Sequence, residues 1–384
     1  MRKVCVLIGS RANYGSIKSA MRAIASHPEL QLQLVVGASA LLDRFGSVVD
    51  VIEADGFRPD AKVTMIVEGE TPSTMAKSTG LGLLELPTVF DHLKPDVVIS
   101  VGDRFETMAT AVAASYMNIP VAHTMGGEIS GTIDESIRHA VTKLAHVHFP
   151  ANAQAAERII RMGEDPSTVH VVGCPRVDLV AQIVRSNGHI DSADWLDREG
   201  AGAHITLDEP FLLVSQHPVT TEYGQGERQI NETLAALDEL RMPTIMLWPN
   251  ADAGSEDIAR GMRKFRENRR PEYIRFYKNF PIETYVRLMN SCACALGNSS
   301  APLREGAFIG VPTVNVGTRQ CGRDRAANVV DVDYDRAHVV EAVKRQIAQG
   351  RYESDHLYGD GEAGPRIANV LATAPLRVQK RLHY

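Results

Sequence analysis

The sequence has no apolar run approaching the ~20 residues that a membrane span needs. Nor does it have an excess of positive charge. Lys and Arg number 41 against 47 Asp and Glu, a formal net charge of -6, which argues against a nucleic-acid polyanion as the main partner. Cysteine is scarce and odd in number. Cys5, Cys174, Cys292, Cys294 and Cys321 are scattered, most of them in apolar strand-like runs, so buried reduced thiols in a cytosolic protein are expected. Cys292 and Cys294 are spaced to point to one face of a strand, and no matching Cys/His pair completes a zinc site. Neither a structural metal nor a cofactor is expected. The start, MRKVCVLIGSRANYG, is basic and then apolar, as a signal peptide is. Its apolar part falls short of the ~7–15 residues of such a core, and no small-x-small cleavage site follows. It reads as the first strand of a fold in a cytoplasmic protein. No internal repeat or low-complexity tract stands out.

What is present suits a soluble globular protein, with 44% hydrophobic and 23% charged residues over 384 positions, enough for two domains with their own cores. Continuous apolar runs at 4–9, 30–37, 96–102, 119–125, 147–150 and 169–173 read as strands, and helical patterns at 16–26, 107–117 and 134–145 separate several of them. Buried strands alternating with helices mean a parallel sheet covered on both faces. A break with Asn187-Gly188 and Gly200-Ala201-Gly202 precedes a second series of strands at 211–216, 244–249, 273–277, 292–296 and 312–316. The expected fold is α/β, with two doubly wound domains facing each other across a cleft. Their bounds are 1–178 and 179–364, and helices in 365–384 pack back on the first domain.

Ligands of such sheets bind at the carboxyl ends of the strands, and those ends are polar here. The first domain offers Ser10-Arg11, Gly102-Asp103-Arg104, His123, Gly127-Glu128, Asp134-Glu135 and Arg138-His139. The second offers His217-Pro218, Asn250-Ala251-Asp252, and Gly317-Thr318-Arg319 with Arg323 beyond. The most informative stretch is GNSSAPLREGAFIGVPTVNVGTRQCGR, residues 297–323. Small polar residues lead into a helix with Pro302 near its start, where a missing N–H costs least. Free backbone N–H groups and two hydroxyls then form an anion site suited to phosphate. Glu305, about one turn on, can accept hydrogen bonds from a ribose diol. Together they describe a nucleotide-diphosphate site. Each residue also has a plain structural reading: Asp134 as a helix cap, Glu135 and Arg138 as an i, i+3 pair, Arg319 as a surface charge. Crowding of Asp103, Glu128, Asp134 and Glu135 would supply a carboxylate base by like-charge repulsion.

The runs VGDRFE, GGEISGTIDESIRHAVTKLAH, HPVTTE, WPNADAGS, GNSSAPLREGAFIGVPTVNVGTRQCGR and YGDGEAGPRI resemble the hydrolysing UDP-N-acetylglucosamine 2-epimerases. The likeness is closest to the epimerase half of the animal bifunctional epimerase/N-acetylmannosamine kinase, and it covers nearly the whole chain in order. The resemblance implies two Rossmann-like domains in the glycosyltransferase-B arrangement and a homodimer or homotetramer. It also implies expulsion of UDP with inversion at C2, giving N-acetylmannosamine for sialic-acid synthesis. It assigns Arg11, Arg104, His217, Asn250, Phe280, Ser299, Ser300, Glu305 and Arg319 to the nucleotide. It matches Asp103 and Asp134 to catalytic carboxylates, and Glu128, Glu135 and His217 are further catalytic candidates. One position departs from the family pattern: HTMGGE has Met125 where an acid or histidine is usual, and methionine cannot transfer a proton. Residues 37–46 also lack a histidine common in relatives, with Ala40 in its place. Glu128, His123 or Glu135 would then take over the proton. A related enzyme on another UDP- or GDP-sugar, or a sugar-nucleotide-binding protein with little turnover, are the competing readings.

Overall fold

The computed structural model describes every residue except 44–45, 70, 187–195, 197–198, 251 and 384; the expected Asn187-Gly188 turn lies outside the described residues. The chain forms two compact units, and the first holds Met1–Glu128, Ile133–Leu179 and Tyr358–Tyr384. Its strands are β1 (Arg2–Ile8), β2 (Leu30–Gly37), β3 (Ala61–Val63), β4 (Val97–Val101), β5 (Val121–Thr124) and β6 (Val147–Phe149). They pair in the order β3-β2-β1-β4-β5-β6, all parallel. The unbroken apolar run of β1 has a direct cause. Cys5 and Leu7 face a core shared with Leu86, Phe90, Ala109 and Ala113, while Val4, Val6 and Ile8 on the opposite face are buried too. A strand covered on both sides shows no polar alternation. Helices α1 (Arg11–Gly15), α2 (Lys18–Ser26), α3 (Val48–Ala54), α4 (Pro72–Leu93), α5 (Phe105–Tyr116), α6 (Ile133–Leu144), α7 (Ala153–Arg161) and α8 (Pro175–Arg185) follow in chain order. The expected strand at 169–173 is not one. Val169 makes an isolated bridge to His148 at the edge of the sheet, and the His170 and Val172 N–H groups reach the His148 and Pro150 carbonyls without extending it into a strand.

The C-terminal segment belongs to this unit. Its helix is Ala363–Thr373, shorter than the expected 365–384, and residues 374–383 are irregular. Asp178 holds its start by accepting from the backbone N–H groups of Ala363 (2.9 Å) and Gly364 (2.7 Å). A side chain at Gly364 would lie 2.7 Å from Ser19 backbone, so glycine sets how closely this helix lies on α2. Beyond it, Lys380 Nζ meets the buried Glu164 carboxylate at 2.6 Å and donates to the Lys143 and Ala145 carbonyls at the end of α6.

The second unit holds Ile129–Thr132 and Val180–Leu357, so the division falls within α8. Its strands are β7 (Ala201–Gly202), β8 (Leu212–Ser215), β9 (Thr244–Leu247), β10 (Ile274–Tyr277), β11 (Cys294–Gly297), β12 (Thr313–Val316) and β13 (Val329–Val332). The order is β13-β12-β11-β8-β9-β10-β7, parallel except where β7 runs antiparallel to β10. Helices α9 (Gly226–Leu240), α10 (Ser255–Arg269), α11 (Ile282–Ser291), α12 (Ala301–Ile309) and α13 (Arg336–Gln349) cover it. Leu212 and Val214 pack with Ile230, Ile258 and Val339 on one face. Leu213 packs with Leu288 and Met289 on the other. Cys292 and Cys294 do not share a face as expected: Cys292 ends α11 and joins the second of these cores, while Cys294 joins the first. Four cysteines are buried and Cys321 is exposed. The fold is α/β, with two Rossmann-like doubly wound units.

Candidate active site

In the second unit the polar residues gather where β8, β9, β11 and β12 end. Gly297 closes β11 with φ +126°, and a Cβ there would lie 2.2 Å from the Ser215 carbonyl, so only glycine lets β11 and β8 end this close together. Asn298 follows, fully buried. Its backbone N–H donates to the Ser215 carbonyl (3.1 Å). Its side-chain oxygen accepts from the His217 N–H (2.7 Å), and its side-chain nitrogen donates to the His217 carbonyl (2.8 Å). The His217 ring is itself held. Nδ1 accepts from the Asn250 backbone N–H (3.1 Å), and Nε2 lies 3.2 Å from the Ser215 hydroxyl. An N–H can only donate, so Nδ1 carries no proton and the neutral ring is the Nε2–H tautomer.

Ser299 and Ser300 precede α12, with Pro302 in its first turn. The Ser300 side chain makes no cap bond to the helix, and Ser299 Oγ reaches the Ala301 N–H only at 3.4 Å. Both residues are half-buried. The first N–H groups of a nine-residue helix thus lie beside two hydroxyls, an arrangement suited to an anion. Glu305, in the same helix, is buried. Arg319 is no surface charge. Its side chain is 14% exposed and donates to the Asn298 carbonyl at 3.3 Å, where Gln320 Nε2 also donates at 3.0 Å. Phe280 differs from the rest: its ring is buried, 4.6 Å from that of Tyr277, and is therefore part of the core rather than a stacking surface for a base.

In the first unit, Gly9 ends the run after β1, and a Cβ there would lie 2.4 Å from Glu106. Ser10 caps α1 by accepting from the Asn13 N–H, and Asn13 reaches across to the Val101 carbonyl (2.9 Å). Arg11 is thereby fixed in the first position of a short helix. Arg104 caps α5, and its Nε donates to the buried Glu106 at 3.2 Å. Asp103, 27% exposed, pairs with Arg138, whose side chain is 1% exposed. Arg138 also donates to the Glu128 carbonyl at 2.7 Å. Burial alone would lower the guanidinium's pKa. Asp103, Glu128 and Asp134 around it more than offset that, and it is raised. The expected crowd of carboxylates is thus interleaved with a buried cation, and Arg138 reaches Asp103, 35 positions away. Glu135 lies 3.6 Å from His139 Nε2. Asp134 and Glu135 sit inside the first turn of α6, which begins at Ile133, so Asp134 is not the residue before the helix that a cap would be.

His123 is enclosed by its surroundings. It is fully buried, with Nε2 2.8 Å from the Gly102 carbonyl and Nδ1 3.3 Å from the Thr142 hydroxyl. Burial pushes its pKa down to about 3. Met125 has φ +61°, a left-handed conformation in a non-glycine residue, and is 8% exposed. Arg138 as the partner of Asp103, Glu106 behind Arg104, and Asn298 beneath His217 are the residues that spacing did not single out. The runs VGDRFE and GNSS contain two of them: Glu106 lies two positions from its partner Arg104, whereas Asn298 lies 81 positions from His217.

Two doubly wound units whose strand ends carry guanidinium, hydroxyl and helix-end donors define an α/β enzyme of the kind that handles anionic nucleotides. A family model described as UDP-N-acetylglucosamine 2-epimerase matches residues 22–372. A UDP-N,N'-diacetylbacillosamine 2-epimerase (hydrolyzing) of Legionella pneumophila is 32% identical over 99% of this chain and 98% of its own. A UDP-N-acetylglucosamine 2-epimerase of Neisseria meningitidis serogroup B is 29% identical over 97% and 95%. The chain belongs to the UDP-N-acetylglucosamine 2-epimerase family and is an enzyme of the hydrolysing nucleotide-sugar 2-epimerase type. Among solved structures, a Neisseria meningitidis UDP-GlcNAc 2-epimerase bound to UDP-GlcNAc superposes with a TM-score of 0.80, at 17% identity over 96% of this chain and 99% of that one; that likeness is one of fold. Among the described residues, no helix is long and apolar enough to cross a membrane.

Proposed function

We propose that the protein hydrolyses UDP-N-acetylglucosamine with inversion at C2. A carboxylate takes the C2 proton, the C1–O bond to the diphosphate breaks, and UDP leaves with the bond's electron pair, giving a 2-acetamidoglucal. Water then adds across the double bond, its oxygen at C1, and a proton returns to C2 on the opposite face, giving N-acetylmannosamine. The observation that carries this reading is the cluster at the ends of β8, β9, β11 and β12. There, the Ser299 and Ser300 hydroxyls, the α12 N-terminus and Arg319 offer donors to a diphosphate, beside the His217 ring, whose Nε2–H faces the Ser215 hydroxyl. Donors held in place before the charge develops stabilise a leaving anion most. In this reading His217 gives no proton, because Nδ1 is occupied by the Asn250 N–H; its Nε2–H is shared between the Ser215 hydroxyl and the diphosphate. Arg11, Arg104 and Asn250 serve the nucleotide as well, and Glu305 its ribose. Phe280 offers backbone only. Asp103, held by Arg138, shares the proton steps with Glu128, Asp134 and Glu135.

Met125 favours a second substrate within the same chemistry. A thioether stands where the family has an ionisable group, and the Legionella relative, at 32% identity, is named for UDP-N,N'-diacetylbacillosamine. The enzyme would then release the corresponding diacetylated amino sugar. Purified protein incubated in deuterium oxide with a panel of UDP- and GDP-amino sugars separates these readings. The expected result is free nucleoside diphosphate and a C2-inverted sugar with deuterium at C2. If no sugar nucleotide on the panel yields free diphosphate, a binding protein replaces the enzyme in this account. If the released sugar keeps its C2 configuration, the epimerisation step is wrong.

A further inference from the structure

Asn298 sits where two neighbouring strands stop pairing. The β8–β11 ladder runs in parallel register up to Gly297 opposite Ser215. One step on, the backbone N–H of Asn298 still reaches the Ser215 carbonyl, but the next rung is made by its side chain. The carboxamide pairs with both peptide groups of His217, accepting from the N–H at 2.7 Å and donating to the C=O at 2.8 Å. A side-chain amide thus copies the donor and acceptor of a strand neighbour. From the opposite side, Arg319 and Gln320 donate to the Asn298 backbone carbonyl. The loop that carries them is itself confined, because the Tyr334 ring lies against Gly317, where a Cβ would come within 2.1 Å of it. Asn298 is 0% exposed, so no ligand touches it. It nonetheless joins the ends of β8, β11 and β12, and through the His217 ring it reaches the Asn250 N–H after β9.

We propose that Asn298 is the positioning residue of this site. It fixes the His217 ring, whose Nε2–H faces the Ser215 hydroxyl, and the Arg319 guanidinium on the Asn298 carbonyl, next in the chain to the Ser299–Ser300 turn. This rests on the diphosphate reading given above. Without the carboxamide, the His217 peptide loses its N–H and C=O partners and the residue can rotate. The ring then leaves the Asn250 N–H, and the tautomer is no longer fixed.

The test is Asn298→Ala beside Asn298→Asp. The aspartate keeps the shape and the acceptor for the His217 N–H but sets an acceptor against the His217 carbonyl. Each variant should lower UDP affinity by calorimetry, and kcat on the substrate found above, by roughly tenfold or more. Long-range proton–nitrogen NMR of the His217 ring supplies a readout that a merely structural role would not move. The intact protein should show an unprotonated Nδ1 and a protonated Nε2, and the variants an averaged pair. If Asn298→Ala does not fold, Asn298→Asp carries the same readouts. A folded variant with unchanged UDP affinity and unchanged ring signals overturns the proposal, as does an intact protein whose His217 Nδ1 is protonated. If the intact protein neither binds UDP nor turns over any sugar nucleotide, the diphosphate reading fails, and the ring signals still decide the clamp.

Discussion

Lowering the pH should destabilise this protein through His123. The ring is fully buried between the Gly102 carbonyl and the Thr142 hydroxyl, and burial pushes its pKa from 6.5 down to about 3. In the unfolded chain it titrates near ~6.5. Between these two values the unfolded chain binds a proton that the folded protein does not. Its contribution to stability is therefore complete above pH ~6.5 and falls as the pH drops toward 3. The slope is about 1.4 kcal/mol per pH unit, and the whole interval amounts to roughly 4–5 kcal/mol, against a typical domain stability of ~5–15 kcal/mol. His139, His146, His148 and His170 are also lowered by burial, so the curve of the intact protein sums several groups. The difference from His123→Gln isolates one. Urea unfolding followed between pH 7.5 and 4.5 should show the variant less stable at the upper end, because the flexible amide does not reproduce the buried ring's packing between the Gly102 carbonyl and the Thr142 hydroxyl. The gap should narrow by roughly 2–3 kcal/mol by the lower end. A gap that stays constant across this range would refute the neutral buried ring and reopen His123 as a proton carrier.

The paired change Ser299→Ala with Ser300→Ala should weaken UDP binding, each hydrogen bond to a charged group being worth ~1.5–3 kcal/mol; calorimetry with unchanged affinity would remove the α12 end as the phosphate site. Arg319→Lys should also bind UDP more weakly, because lysine keeps the charge but not the fork that reaches both the Asn298 carbonyl and a ligand; equal affinity and turnover would make Arg319 purely structural. Glu128→Gln should abolish turnover and leave UDP affinity nearly intact; normal turnover would pass the role of base to Asp103, Asp134 or Glu135.

The doubly wound fold was legible because buried parallel strands leave long apolar runs, and β1, β2, β4, β5 and β8 to β12 all do. The strands that escaped are short or exposed. β7 has two residues and β3 three, and β13 is an edge strand whose VVDV is only half-buried. The strand ends were legible as a class, since charge following an apolar run is visible in one dimension. What each charge does there was not. Arg138 reads as an i, i+3 neighbour of Glu135, yet it turns inward to Asp103. Asn298 reads as part of a turn, yet it completes a ladder with a residue 81 positions away. Phe280 was assigned to the nucleotide by resemblance, and packing placed its ring in the core. These are tertiary facts, set by which loops the sheet brings side by side.

Met125 shows how firmly such a loop can be fixed. A left-handed backbone costs a side-chain-bearing residue ~1–2 kcal/mol, so the surroundings must impose it. On one side the Met125 N–H donates to the Phe149 carbonyl at 3.1 Å, continuing the β5–β6 pairing. On the other, Gly127 at φ +74° lies so close to α7 that a Cβ would come within 2.1 Å of the Ala155 carbonyl. Neither constraint involves the Met125 side chain. Its end instead lies beside Gly102, 3.3 Å from where a Cβ would stand there, one residue before Asp103. A substitution at 125 should therefore change the group offered next to Asp103 while leaving the loop where it is. Met125→Glu supplies the ionisable group that the family usually has, and Met125→Gln supplies its shape without the proton. If proton transfer at this position limits the reaction, Met125→Glu should raise turnover of UDP-N-acetylglucosamine and Met125→Gln should not, with circular dichroism and thermal midpoints similar for both. Equal rates in the two variants would mean that position 125 shapes the sugar pocket without taking part in proton transfer.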